Sequence, residues 1–386
     1  MKKLNRKNAN LGDELADRAE KNMKVKDCNL SPRPGRQGKK LVAFLLSITM
    51  IFGAFLQASA QECMDPNWQV YASGLTNPRN MHFGPDGLLY VAEAGIGGDF
   101  EPTCEPADNM YQPYRGGYSA RISKILPDGT RLTVADGLPG FIDGFGDGLG
   151  VSDLAWIDGV MYALIEGGGC TRGLPNDPAG VVQINEDGSY NYVADISAFV
   201  RANPVAVEPP CGPFGDCEPD GVPHSMMVHG EKLLVVETNH NSVLEVDPRS
   251  GSVRRVLDLS VEDPAPIILD RKGNDLFLAG FDGLIQTFGT GFGTVSVFDQ
   301  DYSAIANLHI RGNDKYILET FAPDTPWTPD TGRVIHLDKD GNRAVIACGL
   351  NFPIGMTRRG NELFVSTTSY GQGPVTGLGQ VVRIRL

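Results

Sequence analysis

The stretch from Gly221 to His240, GVPHSMMVHGEKLLVVETNH, decides the fold. A small-residue start leads into an alternating run, Gly230 marks a turn, and a second run of aliphatic residues follows to Glu237. Working outward, the same module recurs as NPRNMHFGPDGLLYVAEAG from Asn77 and LGVSDLAWIDGVMYALIEGG from Leu149. It recurs again as PAPIILDRKGNDLFLAGFDG from Pro264, YSAIANLHIRGNDKYILETF from Tyr302 and NFPIGMTRRGNELFVSTTSYG from Asn351. Most copies carry a turn signal at the middle, such as Pro85-Asp86-Gly87, Gly273-Asn274 or Gly360-Asn361. Repetition at this period means units that bury their apolar faces against one another.

Most copies are followed by a further hairpin: ARISKILPDGTRLTVADGL, GVVQINEDGSYNYVADI, NSVLEVDPRSGSVRRVLDL and GRVIHLDKDGNRAVIACGL. Two hairpins make a four-stranded blade, so the sequence predicts an all-β, six-bladed β-propeller. The chain ends on QVVRIRL, a third strand without its partner, while WQVYASGL near residue 68 matches the fourth strand of other blades. Pairing the two closes the ring and removes two sheet edges. The 47 glycines and 26 prolines agree with a turn-rich β protein and disfavour a helical bundle.

Charge is unevenly spread. Residues 1–60 hold 12 Lys/Arg and 5 Asp/Glu, which leaves 22 basic against 42 acidic residues, net −20, in residues 61–386. Such a domain repels phosphate backbones and anionic lipid, which argues against nucleic-acid and membrane-surface partners; neutral or cationic ligands suit it. Lys39-Lys40, the apolar run LVAFLLSITMIFGAF and Ala58-Ser59-Ala60 have the order of an export signal with a long basic and polar flank, cleaved near Ala60. A retained signal anchor is the rival, opposed by an apolar run shorter than about 18 residues. The expectation is a signal peptide over 1–60 and a single secreted or periplasmic propeller over 61–386, monomeric and free of the membrane.

Six cysteines follow the leader: Cys63, Cys104, Cys170, Cys211, Cys217 and Cys348. In an exported chain they read as disulfides, and the absence of any CxxC pair disfavours zinc. Two repeat spacings, Asn77 to Leu149 and Leu149 to Gly221, stretch to 72 residues because of three long insertions. All three fall on the face where first strands begin and second strands end, and clustered long loops usually bound a site. They carry four of the cysteines, so bridges Cys104–Cys170 and Cys211–Cys217 would fix a lid, with Cys63–Cys348 as the remainder. Tyr111, Tyr114, Tyr118 and Phe214 either wall a ligand or, as the favoured reading, pack the loops.

The segment LLVVETNHNSVLEVDP resembles the NHL-type repeat, and the recurring pattern of a proline, a small polar residue, an apolar strand, a turn and LYV is similar to gluconolactonase-type propellers. Over almost all of residues 63–386 the chain most resembles the exported ScyD/ScyE family, which implies a propeller without implying a reaction. The gluconolactonase likeness implies a metal held from separate inner strands. The matching positions here are Asn80, Asp153, Ser225 and Pro266, without the family's Glu-Gly-Pro opening, so the carry-over fails at two of the four.

Candidate site residues follow from the repeat. The first strands begin with Asn80, Asp153, Ser225 and Asn307, with Arg79 and His224 beside two of them, and the second strands end on Glu93, Glu166, Glu237 and Glu319. Converging carboxylate and amide oxygens suit a hard cation such as calcium, with Asn80, Asp153 and Asn307 as ligands, or a polar pocket. The plainer reading makes the glutamates hydrogen-bond partners of turn backbone. His224 and His229 lie five apart, on opposite faces of a strand, and do not share a metal. DGFGDGLGVSD from Asp143 lacks the ligand order of an EF-hand. No GxSxG, HExxH or phosphate-loop motif occurs. Two functions stay open: an exported propeller binding a small molecule or protein through a lidded channel face, and a divalent-metal-dependent hydrolase or lactonase.

Overall fold

The computed structural model describes residues 67–105, 108–370 and 375–386, all within one compact unit, Ala58–Leu386. The expected signal peptide, its cleavage near Ala60, and the pairing of Cys63 with Cys348 fall outside the described residues. Six sheets are present, and they form a six-bladed β-propeller. Blade 3 shows the plan: Pro223–His229, Lys232–Glu237, Ser242–Asp247 and Ser252–Asp258 pair in that order, each antiparallel to the next.

The innermost strands of the other blades are Pro78–Phe83, Val151–Ile157, Pro266–Lys272, Ile305–Arg311 and Met356–Arg359. Each packs against its neighbours around the ring, blade 6 returning to blade 1. Closure is as the terminal strands predict: Gln69–Leu75 pairs with Gly379–Arg385, from Gln69 opposite Arg383 to Leu75 opposite Gly379. Blade 1 carries a fifth, two-residue strand, Gly148–Leu149.

Strand alternation explains how the ring holds. Leu233 and Val235 point into a core shared with blade 2, while Leu234 and Val236 point into one shared with blade 4. Tyr316 and Leu318 face blade 6, and Ile317 faces blade 4. Second strands are thus buried on both faces, which is why they read as unbroken apolar runs rather than alternating ones. Two-residue turns join first to second strands in blades 2 to 6; in blade 2 both Asp158 and Gly159 have positive φ, 52° and 82°, as a right-twisted hairpin requires.

One insertion departs from expectation. Its first part is an α-helix, Ile196–Ala202, not loop; Asp195 caps it by accepting from the Ala198 N–H at 2.7 Å, while Ile196 and Val200 are buried. Among the described residues no helix is long and apolar enough to cross a membrane.

Candidate functional site

First-strand beginnings and second-strand ends share a face with the long loops, and two disulfides tie those loops: Cys104–Cys170, with Cα atoms 5.5 Å apart, and Cys211–Cys217, at 4.9 Å. Both match the pairing expected from loop adjacency, and both fit an oxidising, extracytoplasmic compartment.

Three of the four repeated glutamates are struts. Glu93, Glu237 and Glu319 accept from the backbone N–H of Thr76, Val222 and Ser303, at 2.7, 2.6 and 2.7 Å, each just ahead of its own blade's first strand. Each has a second partner as well: Arg131, His240 and Arg333 respectively. Glu166 differs. Its Oε1 meets His224 Nδ1 at 2.9 Å, and its Oε2 is buried without a hydrogen-bond partner.

The reason lies in register: Ile165, opposite Val151, holds the position that Glu93, Glu237 and Glu319 hold opposite Pro78, Pro223 and Ile305, and Glu166 comes one residue later. Arg172 ends a one-turn 3-10 helix, Cys170–Arg172, inside the second insertion. This guanidinium is fully buried and donates to the carbonyls of Glu166, Gly168 and Gly221 at 3.0, 2.9 and 2.8 Å. It also pairs with Glu218 Oε2 at 2.9 Å and lies 4.8 Å from the Phe141 ring centroid. Arg172 therefore fastens the loop that leaves blade 2's second strand to the chain that enters blade 3. Burial pushes the Glu166 carboxyl up, but its interaction with His224 and the charges of Arg79 and Arg172 outweigh it and leave it below its ordinary value.

The channel residues separate into two groups. Asn307 Nδ2 donates to Asn80 Oδ1 at 2.9 Å across the ring. Asp153 stands at the expected level: the bulge between Val151 and Asp153 recurs in blades 3 and 5, so Asp153 opposite Leu164 matches Ser225 opposite Val236 and Asn307 opposite Leu318. The Ser152 and Ser225 hydroxyls donate to the next blade, to Pro223 O at 3.2 Å and Ile267 O at 2.7 Å. Asp153 Oδ1 accepts from Leu154 N at 2.8 Å and pairs with His82 at 2.6 Å, while Oδ2 accepts from Met226 N at 2.8 Å. Asn80 Oδ1 and both Asp153 oxygens thus accept hydrogen bonds from the protein, and no group of three or more His, Cys, Asp or Glu among the described residues is placed to hold a metal.

Above the channel mouth the loops enclose a cavity of 180 Å³. Its apolar wall is Tyr111, Tyr114, Phe141, Trp327 and Tyr370. Tyr114 and Phe141 pack with centroids 4.7 Å apart, so two of the loop tyrosines do line a cavity. Tyr118 instead stands exposed beside Phe100, and Phe214 projects with 94% of its surface free.

The polar wall is acidic: Asp143, Asp147, Asp216 and Glu218 against Arg172, the one cation among the described lining residues. Glu218 is saturated by Arg172, Asn109 and the Tyr114 hydroxyl. Burial pushes the Asp143 carboxyl up to about 6, although backbone N–H groups oppose it. Desolvation in the cavity, with the charges of Glu218, Asp263 and Glu237, pushes Asp216 up to about 7. Beneath Tyr370 lies Arg79, 1% exposed, its guanidinium 4.8 Å from the ring centroid. Arg172 and Asp216 lie in insertions outside the repeat, where sequence alignment between blades gives no signal, and Tyr370 closes the sixth copy at a position the repeat does not mark.

No protein-family model matches the sequence, and no curated protein matches it. Solved structures do share the fold. A candidate gluconolactonase is similar at 9% identity and TM-score 0.50, covering 83% of this chain and 92% of that one. A candidate oxidoreductase of the glucose dehydrogenase type from Thermus thermophilus is similar at 15% identity and TM-score 0.50, over 83% of this chain and 99% of that one. A structural genomics protein from Bacteroides thetaiotaomicron is similar at 10% identity and TM-score 0.50, over 82% and 72%. At these identities the likeness establishes the propeller and nothing of its chemistry.

Proposed function

We propose that the protein is an exported, monomeric propeller of the ScyD/ScyE kind that binds a small neutral or cationic organic molecule in the cavity at the channel mouth. The observation that carries this reading is the composition of one cavity: aromatic faces opposite carboxylates that outnumber their cations, under loops tied by two disulfides. Aromatic faces attract organic cations and apolar surfaces, and the carboxylates repel anions. Trp327, which lines the cavity, supplies the assay. Choline is expected to quench its fluorescence, acetate is not, and Asp216→Asn with Tyr111→Ala removes the response; equal responses to both probes overturn the reading.

A protein ligand is the variant of this proposal favoured by the exposed rim residues Phe145 and Phe214, and it would leave choline without effect. The second reading, a divalent-metal-dependent lactonase at Asn80, Asp153 and Asn307, would have to displace the hydrogen bonds that Asn80 Oδ1 and the Asp153 carboxylate accept. Calorimetric titration of EDTA-stripped protein with calcium decides it: micromolar binding that disappears in Asp153→Ala restores it.

A further inference from the structure

Glu166 stands one residue past the repeat position at which Glu93, Glu237 and Glu319 brace backbone, so that role is not open to it. What remains is a carboxylate 1% exposed with Oε2 lacking any hydrogen-bond partner. Arg79, also 1% exposed and near enough for its charge to act on Glu166, has an Nε–H without an acceptor, although its Nη2 donates to Gly148 O. Buried polar atoms are nearly always paired, so two orphans of opposite kind in one cluster point to a group that binds there.

The third member is His224, 5% exposed, on the inner strand of blade 3. An ionised carboxylate only accepts, so Nδ1 carries the proton in the 2.9 Å contact with Glu166 Oε1, and neutral His224 presents its lone pair on Nε2. No hydrogen bond reaches Nε2 from the described residues, while Nδ1 is held by the buried Glu166 carboxylate. A base oriented by a buried acid is the arrangement that general-base catalysis requires.

We propose that His224 is a general base for the metal-free hydrolysis of an uncharged or cationic carboxylic ester, with Glu166 as its positioning residue and Arg79 as the donor to the oxyanion. The proposal rests on the reading that a small molecule enters the mouth cavity, whose wall residue Tyr370 covers Arg79. His224 Nε2 takes a proton from water as the water oxygen bonds to the acyl carbon. The carbonyl π pair moves onto its oxygen, where the Arg79 Nε–H donates. Collapse re-forms the carbonyl and breaks the bond to the alkoxide, which receives the proton back from His224. Ester and water become acid and alcohol, and the protein is unchanged.

The test uses para-nitrophenyl acetate under multiple turnover with EDTA present. The protein is expected to turn it over; His224→Gln is expected to lose about 10²–10⁴-fold in kcat with KM unchanged. Glu166→Gln is expected to lose at least about tenfold, with Glu166→Asp recovering part of the rate. Because a buried substitution can disturb folding, carbethoxylation of the native protein by diethyl pyrocarbonate provides a second readout: it abolishes turnover, and hydroxylamine restores it. Turnover within twofold of the native protein in folded His224→Gln, an undiminished rate after modification of His224, or a rate abolished by EDTA overturns the proposal, as does the absence of turnover. Choline quenching of Trp327 in the same samples reports the cavity separately, so a failed pocket and a failed base are distinguishable.

Discussion

Replacing Arg172 by methionine isolates what holds the loop face together. The substitution keeps an unbranched apolar stem against Phe141 but removes every donor from a fully buried guanidinium. Glu218 loses its ion pair at 2.9 Å and keeps only Asn109 and Tyr114, while three carbonyls lose a donor each. Breaking a buried pair by removing one partner costs about 3–5 kcal/mol, because the remaining charge stays desolvated. Arg249 provides the control: its contact with Glu231 is 2.7 Å, but the two side chains are 62% and 70% exposed, so Arg249→Met should cost no more than about 1 kcal/mol. The assay is urea unfolding followed by tryptophan fluorescence and far-ultraviolet circular dichroism, with comparable m-values as the condition for comparison. Adding Glu218→Gln to Arg172→Met removes the stranded charge and should recover about 1–3 kcal/mol of the loss. A single-variant loss below about 1 kcal/mol, or additive effects of the two changes, would refute the claim that this guanidinium fastens the blade 2 loops.

The two disulfides should differ in worth: on chain-entropy grounds, removing Cys104–Cys170, which spans 66 residues, costs about 4 kcal/mol, and removing Cys211–Cys217, which spans 6, costs about 2, as read from urea midpoints of paired alanine variants. Asp216, with its folded value raised from 3.8 to about 7, stabilises the protein fully below about pH 4 and loses that contribution as pH rises through about 7. Asp216→Asn is therefore expected to match the native protein near pH 4 and gain on it toward about pH 8; a gap that shrinks with rising pH contradicts the assignment. Deleting Gln69–Leu75 leaves Gly379–Arg385 as an unpaired edge and strips Ala72 and Leu75 from their core, so the shortened chain should aggregate or melt without cooperativity in calorimetry.

The propeller was legible because its determinants are periodic: each blade repeats the same turn and the same two-sided apolar strand, and the terminal half-blade announces its own partner. Loop disulfides were legible for a related reason, since the repeat fixes where each insertion emerges. The partners of Asp153 were not, because they come from neighbouring blades: His82 and the Met226 backbone N–H lie 71 and 73 residues away in sequence. The four glutamates look alike in sequence; what separates Glu166 from Glu93, Glu237 and Glu319 is strand register, in which Ile165 holds their position. The cavity's Asp216 was missed because it lies in an insertion, and Tyr370 because nothing in the repeat marks it. Asp143 was noticed for its spacing of acids and glycines, and the structure gives it a different setting, in the wall of a partly desolvated cavity.

Closure of blade 6 also imposes an order in time. Its outer strand, Gln69–Leu75, is made first, and the strand it pairs with, Gly379–Arg385, is made last. Five blades can collapse from neighbouring hairpins as the chain emerges, but the sixth waits for contacts between opposite ends of the described chain, and such non-local pairing is slow. The ring therefore has a final latch, and a chain interrupted before Gly379 is held at a stage where its N-terminal strand has nothing to pair with.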